Sequence, residues 1–396
     1  MHSFSQSPTE PGFVQNPYPF YEKARAAGPF FHWQEYGLIC TPSAAATNAI
    51  LRDRRFGREV PPELAQPIAP HTAPFYAVEA HSMLELEPPR HTRLRSLVLR
   101  AFTSRRIAGL QPDVESLSHS LIDALPKGEF DLITGFAQPL PVIIIARLLG
   151  VPESMADQLL RWSNAMVGMY QAKRTHAMEV AASDAARDFS AFLRGYVEER
   201  RSRPADDLIT QLIAAESEGE KLSTDELITT CILLLNAGHE ATVHTIGNGV
   251  KTLLETQTPV SSLQAGTVDA TVEEILRFDP ALHMFTRYAY EEIEVMGHTF
   301  QRGDRVAVLL AAANRDPAMW DRPARFLPGR VAKPNLSFGV GLHFCVGAPL
   351  ARLELQFALP ILFQRLPHLR LIGTPRYANV YHFHGLEKLM VSPLPA

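Results

Sequence analysis

The feature that most constrains the fold is one long helical pattern between residues 224 and 255. Ser223 fits an N-cap position and Glu226 follows three residues later, which is the spacing of a capping box. Leu222 and Leu227 flank these residues as a possible hydrophobic staple. At 1.5 Å per residue the pattern predicts a rod of roughly 45 Å. We therefore expect this helix to cross the domain, with the other elements packed around it.

The predicted central helix contains Gly238, Gly247 and Gly249. Each glycine costs about 1 kcal/mol relative to alanine in a helix interior. A close approach by another group to Gly238 would offset that cost.

Helical patterns dominate the rest of the chain, and the β portion is smaller. Residues 90–200 are predicted to be mostly helical, and residues 348–365 are predicted to form the last helix. Residues 31–41 are rich in aromatic and β-branched side chains and predict one strand. Alternation between residues 292 and 310, around a turn at residues 302–304, predicts a hairpin.

Composition bounds the class of protein. No linker rich in Pro, Gly or Ser divides the chain, so we expect residues 1–396 to form a single, mainly α domain. The net charge of −4 argues against nucleic acid as a partner. Three cysteines are too few for a disulfide scaffold. The N-terminus shows no secretory signal, and no apolar run approaches the ~18 residues of a membrane helix. We expect a cytoplasmic monomer without a membrane anchor.

A glycine-rich loop around Cys345 carries the strongest chemical signal. Gly339, Gly341 and Gly347 would allow tight or left-handed turns on either side of the cysteine. Cys345 lies just before the last predicted helix, where backbone N–H groups lower a thiol pKa. A thiolate is a soft metal ligand. One cysteine is too few for zinc or an iron–sulfur cluster, whereas a metal that already has four equatorial ligands fits, as in haem.

Three other readings of the loop remain open from the residues alone. Cys345 could be a buried structural cysteine, since free cysteine is often buried. It could be a nucleophile with His343 as its base, although that two-residue spacing is awkward. A phosphate-binding loop is a weaker reading, because the glycines lack the GxGxxG spacing.

Together with further motifs that follow in order from about residue 88, the loop resembles the haem-binding signature of the cytochrome P450 superfamily, in its soluble bacterial form. The resemblance implies a triangular prism with haem b between the long central helix and the cysteine loop. It assigns Cys345 as the axial iron ligand and places Phe338 and Gly347 in the cofactor-binding loop.

The resemblance also assigns four basic residues to the haem propionates. His91 and Arg95 are four residues apart and therefore share a helix face. Arg287, on the predicted strand, and His343, in the cysteine loop, complete the set. Arginine and histidine suit carboxylates because they provide charged, directional donors.

A second group is structural in the family. Glu274 and Arg277 match its E-x-x-R helix motif, and Arg330 resembles the arginine that completes a buried triad. Such a buried ion network is better interpreted as fixing geometry than as adding stability.

The central helix resembles the family's oxygen-binding kink at residues 237–242. Gly238 would leave room for dioxygen, and Glu240 matches the family's acid. The family usually places a threonine directly after that acid, but here the position is Ala241 and the threonine follows at Thr242. Successive helix residues are rotated by about 100°, so Thr242 could substitute only where the helix bulges. We therefore expect a substrate hydroxyl, an ordered water or a shifted Thr242 to complete proton delivery.

The resemblance places the substrate pocket against the same helix. A roof would come from residues 75–84 and 166–170. Asn236 and two histidines make the predicted pocket polar, so we expect a small organic substrate that bears oxygen or nitrogen. The predicted pocket residues are Leu233, Asn236, Ala237, His283, Phe285, His382 and Phe383.

The activity implied is that of a monooxygenase, which inserts one atom of O2 into its substrate. No flavin or ferredoxin portion is visible, so electrons from NAD(P)H would arrive through a separate ferredoxin and ferredoxin reductase. An arginine-rich face would dock the ferredoxin, namely Arg93, Arg100, Arg105 and Arg106. The alternatives are a peroxide-dependent haem enzyme and a non-catalytic haem-binding sensor.

Overall fold

Helices make up most of the molecule, and short strands form one larger sheet and four small ones. The computed structural model describes residues 1–171, 174–217, 219–331, 333–381 and 383–394; at 216 and 217 it describes the backbone. In these ranges the α-helices are α1 (Pro11–Gln15), α2 (Tyr18–Ala26), α3 (Ala44–Arg52), α4 (Ala73–Glu79), α5 (Arg90–Ala101), α6 (Ser104–Ala108), α7 (Gln111–Asp123), α8 (Pro139–Leu149), α9 (Ala156–Val167), α10 (His176–Ser202), α11 (Leu208–Ala214), α12 (Thr224–Glu255), α13 (Val268–Phe278), α14 (Leu310–Ala313) and α15 (Ala348–Arg365).

The strands of the same ranges are short. They are β1 (His2–Phe4), β2 (Phe31–Trp33), β3 (Leu38–Thr41), β4 (Phe56–Gly57), β5 (Phe130–Asp131), β6 (Glu216–Ser217), β7 (Glu220–Lys221), β8 (Met284–Ala289), β9 (Ile293–Val295), β10 (His298–Phe300), β11 (Arg305–Leu309), β12 (Arg370–Leu371), β13 (Arg376–Tyr377), β14 (Leu386–Lys388) and β15 (Met390–Ser392). The mainly helical prediction is therefore confirmed.

The predicted central helix is present as α12, with the predicted bounds. Its capping box is formed: Glu226 donates its backbone N–H to Ser223 Oγ at 3.2 Å, and Ser223 donates its own to Glu226 Oε2 at 2.8 Å. Most of its residues are buried, because α8, α9, α10, α13 and α15 pack around it. None of the described helices combines the length and hydropathy needed to cross a bilayer.

Packing explains two of the three glycines in α12. A Cβ atom at position 247 would lie 2.6 Å from Ile133 Cδ1, and one at position 249 would lie 3.0 Å from Ile275 Cγ2. A Cβ atom at Gly238 would instead point towards α8, at an ordinary 3.7 Å from Ile145. The close approach expected at Gly238 is therefore not made by any protein atom that the structure describes.

The prediction of one strand over residues 31–41 was wrong in detail. The segment forms the antiparallel pair β2 and β3, in which Phe31 faces Cys40 and Trp33 faces Leu38. Residues 34–37 turn the chain, and Gly37 takes the positive φ of +60° that this turn needs.

The predicted hairpin over residues 292–310 was also wrong in its pairing. Strand β9 pairs with β10 through a turn at Met296 and Gly297, which have φ angles of 48° and 78°. Strand β11 instead pairs antiparallel with β8 and parallel with β3. Burial explains the choice, because Val306 and Val308 are fully buried and belong at the centre of a sheet.

The larger sheet has the order β1-β2-β3-β11-β8-β4. Apolar clusters cover it and are separate from the large apolar core around α12. The segment between the sheet and α15 contains the cysteine loop, whose short turn Gly341–His343 packs against α3. The loop is thus held between the sheet and the helical part of the molecule.

Candidate cofactor and active site

The cysteine loop is held by its own backbone and by α3. Cys345 donates its N–H to Phe338 O at 3.1 Å. Gly339 and Gly341 have φ angles of +65° and +76°, as the glycine pattern predicted. At Gly341 a Cβ atom would also lie 2.3 Å from Leu51 O, so a side chain has no room there.

Gly347 does not take the left-handed conformation predicted for it. Its φ is −77°, and it is the N-cap residue of α15. A Cβ atom at this position would lie 3.8 Å from Cys345 Sγ. Gly347 therefore contributes open space beside the sulfur rather than a turn.

The pKa of the Cys345 thiol also differs from the prediction. Burial raises it, and this effect exceeds the lowering by the backbone N–H groups of Gly347 and Ala348 and by Arg95 and Arg352. Helix-terminal N–H groups therefore do act on the sulfur, but desolvation outweighs them. Coordination to a metal cation deprotonates a thiol outright, so a buried thiol with these neighbours remains a suitable ligand.

Two of the predicted propionate partners lie on α5 and face the cysteine loop. His91 is 1% exposed, and its ring centroid lies 4.4 Å from that of His343. Arg95 donates from Nη2 to Phe344 O at 2.7 Å. His91 Nδ1 is buried and has no hydrogen-bond partner among the described residues.

Arg287 lies on β8 and is 3% exposed. Burial, followed by the nearby charge of Arg58, lowers its pKa to about 10. It donates from Nη1 to the carbonyl of the adjacent Thr286 at 2.8 Å. A buried guanidinium normally faces a carboxylate, so Arg287 and the unpartnered His91 Nδ1 fit a cofactor that brings carboxylates of its own.

The sequence interpretation missed an acid in this cluster. Glu87 Oε1 lies 3.0 Å from His343 Nε2 and accepts the backbone N–H of Arg58 at 2.7 Å. Burial opposes ionisation of Glu87, but its hydrogen bonds to His343 and Arg58 lower its pKa overall. The residues just before Pro88 gave no spacing signal, since Glu87 and Arg58 meet only in the folded chain.

The three predicted structural residues come together in a buried network. Arg277 donates from Nε and Nη2 to the two oxygens of Glu274, at 2.7 Å each. Arg330 donates from Nε to Glu274 Oε2 at 3.0 Å. Arg277 also donates to the carbonyls of Asn314 and Pro323. The network fastens α13 to the segment that leads into the cysteine loop.

One face of α12 is less buried than the rest of the helix. The partly exposed residues of this face recur every three or four positions, as residues on one side of a helix do. Ala237 on this face is exposed, whereas Leu235, His239 and Val243 on the other faces are buried. This accessible side of the helix, the open face of α12, includes Leu233, Asn236, Ala237, Glu240, Ala241 and His244.

The acid of this face lies between two histidines. Glu240 Oε2 is 3.2 Å from His239 Nε2, and Glu240 Oε1 is 3.2 Å from His244 Nε2. Burial opposes the charge of Glu240, but the two adjacent imidazoles outweigh it and hold the pKa of its carboxyl well below the usual range. Sequence reasoning assigned no role to either histidine. The four-residue spacing of Glu240 and His244 was the available signal.

Thr242 does not occupy the position of the missing threonine. It is 5% exposed and donates from Oγ1 to Gly238 O at 3.0 Å, one turn earlier. Helix α12 runs through this region without a bulge. The expectation of a shifted Thr242 was therefore wrong, because its hydroxyl is already used within the helix.

Other predicted pocket residues differ in their positions. His283 is fully buried, and its Nδ1 lies 3.0 Å from the Tyr21 hydroxyl, so its assignment to the pocket was wrong. Phe285 is half-buried beside Gly339 of the cysteine loop. Phe383 lies with its ring centroid 5.9 Å from that of His244. His382 lies outside the residues that the structure describes.

The predicted roof reaches α12. Asn236 Nδ2 lies 3.7 Å from Met166 Sδ, and the ring centroids of Phe75 and Tyr170 are 6.4 Å apart. Asn236 Oδ1 is buried and has no partner among the described residues.

The arginines predicted to dock a ferredoxin are partly engaged within the chain. Arg93 pairs with Glu226 and with Glu220, and Arg106 pairs with Asp206 at 2.7 Å. Arg105 is exposed. The surface is therefore less positive than the sequence alone implies.

Comparison with known proteins identifies the family of the chain. The profile of the family "Cytochrome P450" matches residues 266–370. "Putative cytochrome P450 YjiB" of Bacillus subtilis is 34% identical over 382 residues, which cover 95% of this chain and 93% of that protein. "Cytochrome P450 monooxygenase PikC" of Streptomyces venezuelae is 36% identical over 378 residues, or 92% of this chain and 87% of that one.

A solved structure matches over nearly the whole fold. P450BioI in complex with an acyl carrier protein ligated to hexadec-9Z-enoic acid superposes with a TM-score of 0.90 at 34% identity. The match covers 96% of this chain and 99% of that one. The chain therefore belongs to the cytochrome P450 family of haem-containing monooxygenases.

Proposed function

We propose that the chain is a single-domain haem-thiolate monooxygenase that oxidises a small organic substrate bearing oxygen or nitrogen. Electrons from NAD(P)H would arrive through a separate ferredoxin and ferredoxin reductase. The observation that carries the proposal is the meeting of one partly buried thiol, Cys345, with a cluster of basic side chains that includes the buried His91 and Arg287. Haem b requires this combination of an axial ligand and partners for its propionates.

Each part of the cluster would have a separate task. Cys345 would hold the iron, while Phe338 and Gly347 shape the space around the sulfur. The propionates would be bound by His91, Arg95, Arg287 and His343. When bound, haem supplies the oxygen chemistry, and a thiolate ligand favours O–O cleavage. The protein orients the substrate, excludes water and delivers protons.

The carboxylate of Glu240 would relay protons at the open face of α12, by accepting a proton and passing it on. His239 and His244 keep its carboxylate ionised, and the hydrogen bond from His244 fixes its direction. Ala241 has no hydroxyl to continue the path, and that of Thr242 is bonded to Gly238 O. A hydroxyl of the substrate or an ordered water would therefore complete the path of the protons. The unpartnered Asn236 Oδ1 supports a substrate with a donor group of its own.

Absorbance spectroscopy tests whether Cys345 is the axial ligand of the haem iron. The purified protein is expected to bind haem, and its reduced carbon-monoxide complex should absorb at the position typical of thiolate ligation. Cys345→Ala should lose that absorption. Cys231→Ala removes another buried thiol, on α12, and should retain it. Equal spectra for wild type and Cys345→Ala would refute the proposal.

Turnover separates the monooxygenase from its alternatives. A panel of ligands is screened first for the shift in haem spin state. The panel includes an acyl group on a carrier protein, since P450BioI was solved with such a ligand. Product formed with NAD(P)H, a ferredoxin and its reductase supports the proposal. Product formed only with hydrogen peroxide indicates a peroxide-dependent enzyme, and tight binding without any product indicates a sensor.

The missing hydroxyl is tested by Ala241→Thr. The ratio of product formed to NAD(P)H consumed is compared for wild type and variant. Similar ratios are expected, because the substrate or water already completes the path. Markedly better coupling in the variant would contradict a complete path in the wild type.

A further inference from the structure

We propose that His71, His176 and Glu179 form a binding site for a zinc-like divalent metal ion, separate from the haem site. His71 lies in the turn Pro70–Thr72 that leads into α4. His176 and Glu179 lie in the first turn of α10. The site would join two segments that are more than 100 residues apart in the chain.

The geometry brings three ligand atoms together. Each of the three residues offers one nitrogen or oxygen, and these atoms all lie within 4.8 Å of one another. His71 Nε2 is 2.7 Å from Glu179 Oε2, and the ring centroids of His71 and His176 are 4.4 Å apart. Ligand distances of about 2.0–2.2 Å would be reached by small rotations of the side chains.

The donor set selects the class of metal. Two imidazoles and one carboxylate, with a fourth position left to water, are the ligands of open zinc sites. Imidazole nitrogen suits zinc, copper and nickel, whereas calcium and magnesium prefer oxygen. His176 and Glu179 are three residues apart on α10, so their side chains share a helix face.

The site is accessible to an ion from solvent. The side chain of His71 is 31% exposed, that of Glu179 is 22% exposed, and His176 is exposed. A second cluster with the same donor types, Asp279 with His283 and His384, lacks this property because all three residues are buried.

In the buried cluster, the carboxylate of Asp279 already has hydrogen-bond donors and a positive charge beside it. Both oxygens of Asp279 accept hydroxyl hydrogen bonds, from Tyr18 and from Tyr377. The Arg315 guanidinium lies 3.3 Å from the centre of the Tyr18 ring and adds positive charge beside that carboxylate. These contacts disfavour a divalent cation there and leave the accessible cluster as the metal site.

One neighbour competes with the metal at the accessible site. Arg174 Nε lies 3.4 Å from Glu179 Oε1, the oxygen that His71 does not contact. This positive charge weakens the attraction of Glu179 for a cation. Removing it should therefore tighten metal binding, which gives a variant with an effect opposite to that of losing a ligand.

Metal binding would fasten α4 to α10. Helix α4 also contacts the central helix, where Thr229 of α12 donates from Oγ1 to Val78 O at 3.2 Å. On the other side, the Tyr170 hydroxyl donates to Glu79 Oε2 at 3.1 Å. An ion held between His71 and α10 would thus restrain α4, which contacts the central helix through Val78.

The test measures zinc binding to the untagged holoprotein after washing with a chelator. Competition with a chromogenic chelator gives the affinity and the stoichiometry, and neither depends on catalytic activity. We expect His71→Gln and His176→Gln each to weaken the site at least tenfold. Arg174→Gln should strengthen it, and His368→Gln, at an exposed histidine after α15, should leave it unchanged.

Hydrogen exchange provides a second readout. In the wild type, zinc should increase the protection of amides at residues 70–80 and 175–180, and in the double variant His71→Gln/His176→Gln it should not. The variant's haem spectrum serves as the check on folding. Zinc binding that is equally tight in the wild type and the double variant would overturn the proposal.

Discussion

His244 donates from Nε2 to Glu240 Oε1 at 3.2 Å, one helical turn along α12. The imidazole is brought this close to the chain end by Gly385, where a Cβ atom would lie only 1.8 Å from His244 Nδ1. Gly385 of the last segment and His244 of the central helix therefore determine together how the Glu240 carboxylate is oriented.

Replacing His244 by phenylalanine should impair proton delivery. The ring would still pack beside Phe383, but the N–H that lowers the pKa of Glu240 would be lost. Turnover should fall by about tenfold, which is less than the loss of a general acid itself. Its pH profile should shift towards higher pH, because Glu240 would then ionise at a higher pH. An unchanged profile would show that His244 has only a packing role.

Replacing Gly341 by alanine should destabilise the cysteine loop. Its φ of +76° alone costs a side chain about 1–3 kcal/mol. The added Cβ would also meet Leu51 O, a backbone atom that cannot rotate away. We expect a lower urea midpoint and reduced haem content.

Gly128→Ala is the matched control for this prediction. It adds the same methyl group where no heavy atom lies within 4 Å. Equal stability and haem content in the two variants would contradict the role assigned to the backbone at Gly341.

Replacing Glu274 by glutamine should be strongly destabilising. Arg277 and Arg330 would remain buried without their carboxylate, and breaking a buried pair in this way costs about 3–5 kcal/mol. Asp184→Asn breaks a pair with the same three-residue spacing, but Arg187 and Asp184 are 59% and 52% exposed. That control should change the free energy of unfolding by less than about 1 kcal/mol. Similar losses in both variants would show that burial does not set the energy of the network.

The sequence predicted elements whose signals are local. The capping box of Ser223 and the bounds of α12 depend on neighbouring residues, and both predictions were confirmed. The pairing of β11 was not predictable in this way, because β3 lies more than 250 residues earlier in the chain. The same limit explains the error at His283: the resemblance placed this residue in the pocket by its position before Arg287, whereas Tyr21 of a distant helix holds the ring elsewhere.

The same difference between local signals and long-range contacts applies to the candidate site. Residues within one helix, such as His91 with Arg95 and Glu274 with Arg277, could be paired from their spacing. Glu87 and Arg58 approach His343 only in the folded chain, so no local sequence pattern predicted them. The pKa of Cys345 was mispredicted because helix geometry is readable from sequence but the desolvation of one sulfur is not.

The buried histidine His384 should make the protein less stable in mild acid. Its ring stacks on Tyr377 at 3.8 Å, and burial lowers its pKa to about 4 despite the nearby Asp279. In the unfolded chain a histidine titrates near pH 6.5. Between these two values the unfolded state binds more protons, so the free energy of unfolding falls as the pH falls. One such group removes about 2 kcal/mol between pH 7 and pH 5.

Urea unfolding at pH 7 and pH 5 measures this contribution. His384→Phe keeps an aromatic ring against Tyr377 and should reduce the loss of stability between the two pH values by about 2 kcal/mol. His368→Gln removes an exposed histidine and should leave the loss unchanged. The remaining dependence in His384→Phe belongs to groups such as His283, whose pKa burial also lowers. A pH dependence identical in His384→Phe and wild type would mean that His384 is already protonated in the folded protein, with Asp279 as its counter-charge.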